Sequence, residues 1–461
     1  MTTRDTKLWT RIRIPIEDMD PWDLLDPLQA DGSRLMAWAS PDGSQSFVAI
    51  GEVSEFRPTG PERFEASKKW WIPLLNTIET TDALGRPAQS NAPLCLAGFA
   101  FRADPNRSDA WSAWGDGALC IPQILVWRSN NATEVNFVVR NDPALRPQSL
   151  AELQDQLSEW MTRSQPIEHI ASVDVAERDT TPENASTLWQ QRVRAAQEKM
   201  ATGQLQKVVL ARSAAYVPSQ AQRFDPLATA RSLRQRQTRS TTFLIRRKDG
   251  QAFLGSSPEV LVRLDQGRVE TVALAGTRKR STESEIEDVA LGADLLDSSK
   301  DRTEQDLVAT AIVDALQPHV SDIDIPGRPE VISLPDVQHL RTAIHGNLCD
   351  NSSIFDLVEQ LHPTPAVGGL PRQAALNWLD DHEHLDRGWY AGPIGWIGAE
   401  GNGEFVVAIR SVLMGPEEAS AFAGCGLIAD SIPEDEWEES QIKLQTVRQG
   451  LAVEAHVGLE R

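Results

Sequence analysis

Two short acidic runs carry carboxylates at helical spacing. Asp301 and Glu304, in Lys300-Asp301-Arg302-Thr303-Glu304, stand three residues apart; Glu436 and Glu439 repeat that spacing, and Lys443 follows four residues later. A helix turns once in about 3.6 residues, so each set falls on one face, and two such helices facing each other would bring four carboxylates together. No His or Cys stands among them. An all-oxygen set suits a hard cation, and magnesium takes few protein oxygens while keeping positions for water and substrate. Helix by helix, the same spacing also describes a solvated or salt-bridged face, so the acids alone leave both readings open.

Single residues elsewhere could work with them. Lys207 opens the apolar run Lys207-Val208-Val209-Leu210-Ala211, where a lysine either snorkels to solvent or, desolvated, serves as a base. Glu259 follows Gly255-Ser256-Ser257-Pro258 at a strand start and is either a surface carboxylate or a buried general acid. Glycines recur in Leu274 to Thr277 (LAGT), Leu361 to Gly369 (LHPTPAVGG) and Ala423 to Gly426 (AGCG). Glycine lets a ligand approach the backbone, and exposed N–H groups can bind a carboxylate, although ordinary turns use the same residues. Arg410 could grip a carboxylate bidentately or close a surface salt bridge, and His339 could be a satisfied core histidine. No GxGxxG joins a strand to a helix, and neither a P-loop nor a Gly-x-Ser-x-Gly elbow is present, which argues against dinucleotide, P-loop and serine-hydrolase chemistry.

These residues must be held by a particular order of elements. Leu188 to Met200 has apolar and charged faces and predicts a helix; strands follow at Lys207 to Ala211, Thr242 to Arg247, Gln251 to Gly255, Val260 to Leu264 and Val269 to Ala275. Asp249-Gly250 suits a tight hairpin turn, and strands this closely spaced pair antiparallel. Helical patterns occupy Glu285 to Leu316 and Pro371 to Trp378. A second hairpin around Asn402-Gly403 joins Ile394 to Ile397 with Phe405 to Ile409, and a last helix covers Glu434 to Val453. Residues 1 to about 175 show short alternating runs such as Ser46 to Ile50 and Leu94 to Phe101, which read as strands with a few helices between them. The whole predicts an α+β fold, antiparallel sheet with helices outside, in one intertwined domain.

Composition narrows the partners. The 461 residues are 41% hydrophobic and 24% charged, ordinary for a folded chain with a sizeable core. The formal net charge is -21, with acids spread throughout, so nucleic acid would meet the wrong sign. Cys95, Cys120, Cys349 and Cys425 stand far apart and read as reduced core residues. The first residues carry no signal-peptide run and no later stretch approaches a membrane span; the expected location is the cytoplasm.

Taken in order, KVVLARS, FLGSSPE, LAGT, KDRTEQ, HLRTAIHG, LHPTPAVGGLP, GWYAGPIGW, EGNGEFVVAIRS, AGCGLI and EWEESQIK resemble the chorismate-binding family, which includes isochorismate, salicylate, anthranilate and aminodeoxychorismate synthases. The resemblance covers about Glu183 to Val453. It implies the anthranilate synthase component I-like fold, with 1–180 as its variable N-terminal part and 181–461 as the chorismate-binding region. By the same resemblance, Glu304 and Glu439 would bind Mg²⁺, with Asp301 and Glu436 supporting from just outside. Arg410, Lys443, Thr277 and the backbone near Gly276 and Gly424 would hold the two substrate carboxylates, with Tyr390 beside them and His339 against the ring.

Within the family, a lysine at the position of Lys207 marks members that activate water and argues against anthranilate synthase. Ala275 stands where aminodeoxychorismate synthases place an attacking lysine. Ala366 stands where salicylate synthases tend to have threonine, so the string LHPTPAVGG looks most like isochorismate synthases. The implied reaction is hydration at C2 with loss of the C4 hydroxyl, Lys207 acting as base and Glu259 as acid, and with no glutamine amidotransferase subunit. These roles need a neutral amine and a protonated carboxyl, opposite to the free states near neutrality. A salicylate synthase, which also eliminates pyruvate, and a non-catalytic chorismate-binding protein are the alternatives. One departure is Gln305, where many relatives have histidine.

Overall fold

The computed structural model describes residues 7–25, 27, 32–141, 150–163, 175–177, 185–219, 222–281, 284–335 and 337–453. Among them, strands assemble into sheets of 13 and 10 strands. In the larger sheet Lys207–Pro218 lies beside Ala419–Leu427, and the ladder continues through Ser411–Met414, Ala252–Ser257 and Thr241–Arg246 to Leu35–Ala39. Thr242 there pairs with Ala39. In the smaller sheet Pro393–Gly398 pairs with Pro93–Phe99, Gly395 opposite Ala97. Both halves of the chain therefore contribute to both sheets.

Side-chain alternation along the strands builds two cores. In Thr241–Arg246, Phe243 and Ile245 enter a cluster with Phe253, Leu96 and Val406, which fills the space between the sheets. Leu244 points the other way, joining Leu227, Leu233, Leu444 and Val447 from the helices Pro226–Arg236 and Pro433–Arg448. A strand covered on both faces needs an unbroken apolar run, as Phe243-Leu244-Ile245 supplies. Each such fully buried side chain contributes about 1.5–3 kcal/mol.

Several boundaries differ from the sequence-based expectation. The helical stretch at 285–316 divides into Glu285–Asp297 and Ser299–Leu316, because extended Ser298 separates them and its side chain accepts the Asp301 N–H to cap the second. The last helix ends at Arg448, where Gly450 N–H turns back to the Val447 carbonyl at 2.9 Å. The second hairpin turns at Gly398 to Asn402, with Gly401 at φ +85° and Gly398 N–H donating to Asn402 O at 2.7 Å. The first is wider than a two-residue turn: Arg247 N–H donates to Gln251 O at 2.9 Å, and Gly250 alone of the Asp-Gly pair has positive φ. Among the described residues one pairing is parallel, Trp9–Ile16 with Ile78–Asp82, whose long connection supplies the crossover that parallel strands require. Among the described residues no helix is long and apolar enough to cross a membrane.

Candidate active site

Lys207 is the first residue of Lys207–Pro218, and its side chain is 2% exposed. It does not snorkel. Its Nζ donates to Glu304 Oε1 at 2.8 Å, across to the helix that Ser298 caps. Glycine makes this approach possible: a Cβ at Gly426 on the neighbouring strand would lie 3.0 Å from Lys207 Cε and 3.2 Å from Glu304 Oε1.

Glu259 and Arg410 occupy two of the places where the chain passes between the sheets. Ala252–Ser257 belongs to the larger sheet and Val260–Asp265 to the smaller, and Pro258-Glu259 makes the crossing. The return runs from Gly403–Val407 to Ser411–Met414 through Arg410, whose φ of +52° is sparsely populated for a non-glycine residue. The strand thus ends at Val407, short of the expected Ile409. Glu259 is pinned at its backbone, its N–H donating to Ser257 Oγ at 3.2 Å and its carbonyl accepting from Val407 N–H at 3.0 Å. Burial pushes its carboxyl up to about 7, against a hydrogen bond from Thr364 and the fields of Lys207 and Lys443.

Gly276, at φ +69°, forms a bulge where Arg268–Lys279 shifts register against Val337–Leu348. Its carbonyl faces Nδ1 of His339 at 3.0 Å, and Thr277 Oγ1 lies 3.2 Å from the same nitrogen. A carbonyl can only accept, so Nδ1 carries the hydrogen and Nε2 the lone pair. Burial, with Arg410 and Lys443 nearby, pushes this imidazole down to about 3; it is neutral at physiological pH. Tyr390 stacks on Phe422 with ring centroids 5.1 Å apart, and its hydroxyl lies over Gly424.

On the helix Pro433–Arg448, Lys443 Nζ donates to Glu439 Oε1 at 2.5 Å and to the Gly424 carbonyl at 2.9 Å. Burial disfavours the Lys443 charge, but Glu439 beside it holds the proton on more firmly than in water. Burial and the neighbouring Glu439 push Glu436 up to about 7. Ligand atoms of Glu436, Glu439 and Cys425 lie within 4.8 Å of one another. Two carboxylates this close suit a divalent cation, which would relieve the share of the Glu436 shift that Glu439 adds to burial; Glu304 and Asp301 line the same cavity but are not within this group.

These groups surround one cavity of about 290 Å³. Lys207, Glu259, Gly276, Thr277, Asp301, Glu304, His339, Ala366, Tyr390, Arg410, Gly424, Glu436, Glu439 and Lys443 all line it, so the candidate catalytic, substrate-binding and metal residues named from the sequence are brought to one place. Asp301 pairs with Arg278 at 3.2 Å. Gln305 points elsewhere: fully buried, it donates to Ala273 O at 2.9 Å and Thr342 Oγ1 at 2.8 Å, so the departure from histidine falls in the packing behind the site.

Two features escaped the sequence reading. Thr364 bonds to Glu259 at 3.2 Å from within the Pro-rich segment. Arg387 and Glu383 form a fully buried pair; the guanidinium also donates to Val367 O at 2.8 Å and Val209 O at 2.6 Å, and Glu383 accepts from Ala211 N–H at 2.8 Å. The pair ties the strand of Lys207 to the loop of Ala366. In sequence, Glu383 and Arg387 show only ion-pair spacing, and nothing local marks them as buried.

A cavity that gathers several cations in a strongly acidic chain, with buried acid and amine groups facing one space, defines an enzyme for a small carboxylated molecule. The chain belongs to the chorismate-binding enzymes: the family model described as "Chorismate binding enzyme" matches residues 1–452. The salicylate biosynthesis isochorismate synthase of Pseudomonas aeruginosa is 36% identical over 438 residues, 93% of this chain and 88% of that protein. The isochorismate synthase MenF of Bacillus subtilis is 32% identical over 449 residues, 95% of this chain and 92% of the relative. Among solved structures, the menaquinone-specific isochorismate synthase MenF of Escherichia coli superposes with a TM-score of 0.74 at 26% identity, covering 96% of this chain and 95% of that one.

Proposed function

We propose that this chain is an isochorismate synthase that converts chorismate to isochorismate with magnesium bound. The observation that carries the reading is the pairing of a buried amine, Lys207, with a buried carboxyl, Glu259, whose proton is retained up to about pH 7, in one cavity. Relatives carrying the name isochorismate synthase over nearly the whole chain support it.

In this reading Lys207 takes a proton from a water molecule, whose oxygen forms a bond to ring carbon C2. The ring double bonds shift, the C4–O bond breaks, and the protonated Glu259 carboxyl gives its proton to the departing hydroxyl, which leaves as water. Atoms balance: one water enters, one leaves, and solvent returns the proton from Lys207 to Glu259. Arg410, Thr277 and the Gly276 and Gly424 backbone hold the substrate carboxylates. His339, neutral with its lone pair on Nε2, has no proton there to donate. Glu304 and Glu439 would hold the cation, with Asp301 and Glu436 supporting them. Bound magnesium supplies positive charge that neutralises the ring carboxylate. Ala366 leaves this part of the wall small and without a hydroxyl.

The test is incubation of the protein with chorismate, with and without Mg²⁺, followed by chromatography and a pyruvate assay. Isochorismate formed with Mg²⁺ and without pyruvate is the expected result. Stoichiometric pyruvate with salicylate would make the chain a salicylate synthase, and no consumption of chorismate would leave a binding protein.

A further inference from the structure

The acid proposed above has two oxygens, and only one orientation of its proton can serve the reaction. Thr364 follows the helix Ile354–Leu361, in a turn where its carbonyl accepts from Val367 N–H at 3.1 Å and Gly368 N–H at 2.8 Å. Its backbone is fixed, its side chain is buried, and Oγ1 meets Glu259 Oε1 at 3.2 Å. Glu259 lines the cavity, and Oε2 has no hydrogen-bond partner among the described residues. If Oγ1 donates, it favours the carbonyl form of Oε1, the better acceptor of the two carboxyl oxygens, and so places the carboxyl proton on Oε2. The opposite arrangement, with Oε1–H donating to Thr364, would turn the proton away from the cavity.

We propose that Thr364 is a positioning residue whose hydroxyl donates to Glu259 Oε1, holds the acid proton on Oε2, and thereby aims it into the cavity. The inference rests on the isochorismate synthase reading and names a residue that reading does not require. It assigns a task to the threonine of the Pro-rich segment, one that touches no substrate.

The consequence for pH has a definite sign. A donor to a carboxylate favours the ionised form, so the Thr364 bond works against the burial that raises Glu259, as do Lys207 and Lys443; neutral His339 and cationic Arg410 line the same cavity. Removing the hydroxyl raises Glu259 further. Because activity needs the protonated acid, the alkaline limb of kcat/KM moves to higher pH while the rate at its plateau falls.

The test compares Thr364→Val, Thr364→Ser and Thr364→Ala with the wild type, following kcat, KM and the pH profile, with melting temperatures recorded. Thr364→Val should lose about tenfold in kcat, the size of one hydrogen bond, with KM little changed and the alkaline limb displaced upward. Thr364→Ser should restore both. Should the valine variant fail to fold, the serine and alanine variants carry the same comparison, since they differ by the hydroxyl alone. A valine variant with wild-type kcat and pH profile overturns the proposal, as does a serine variant as impaired as the alanine one, which would place the threonine's contribution in its methyl group. A wild type that consumes no chorismate overturns the function and this inference together; an active wild type indifferent to position 364 overturns only this inference.

Discussion

At the scale of single residues, the site depends on groups whose ordinary ionisation the fold has changed. Glu259 is raised to about 7 chiefly by burial, so the free enzyme loses its protonated acid as pH climbs through that value, and kcat/KM should fall on the alkaline side. In Glu259→Gln the carboxyl is gone, so that fall disappears along with most of the activity. Loss of a general acid or base typically costs about 10² to 10⁴ in rate. Lys207→Ala and Glu259→Gln should show losses of this size while isothermal titration still reports chorismate binding. Turnover like the wild type's in either variant would remove that residue from the reaction. His339 differs from both: neutral well below physiological pH, it takes no part in that titration.

At the scale of elements, what matters is how closely backbones and side chains approach. The strand Ala419–Leu427 presents glycine at 424 and 426, beneath Tyr390 and beneath the Lys207–Glu304 pair. A Cβ at 426 would stand 3.0 Å from Lys207 Cε and 3.2 Å from Glu304 Oε1, which forces the proposed base and a proposed cation ligand to move together. Gly426→Ala should therefore lower kcat, by less than the roughly hundredfold loss that a misplacement of about 1 Å causes, because the two side-chain ends need give only a few tenths of an ångström. It should also weaken the Mg²⁺-dependent rise in melting temperature, a measurement that needs no turnover. The fold should survive, because the crowded atoms are the far ends of two side chains. Equal magnesium stabilisation in variant and wild type would argue against Glu304 as a ligand.

At the scale of the whole molecule, one buried ion pair joins segments far apart in sequence. Arg387 and Glu383 connect Val209 and Ala211 in the larger sheet with Val367 in a loop that lines the cavity. Removing one partner leaves the other charge buried and unpaired, which costs about 3–5 kcal/mol. Glu383→Gln should thus shift the urea unfolding midpoint of the whole chain, not only its activity. An unchanged midpoint would mean that water reaches Arg387 in the variant.

Much of this was legible in the amino-acid order. The i, i+3 acids at 301/304 and 436/439, the apolar run opened by Lys207 and the glycine segments are local patterns, and helical or strand periodicity alone puts each on a definite face. The α+β character and most strand positions follow from the same periodicities. Local pattern could not say whether Lys207 and Glu259 reach solvent, because burial depends on what other segments bring, and here those segments are a helix and a loop about a hundred residues away. Thr364 and the Glu383–Arg387 pair were invisible for the same reason: their partners are set by how the two sheets face each other. The residue types and their faces were thus determined by sequence alone. Tertiary structure decided which of those faces meet, since desolvation and electrostatic coupling arise only when distant segments exclude water from one another.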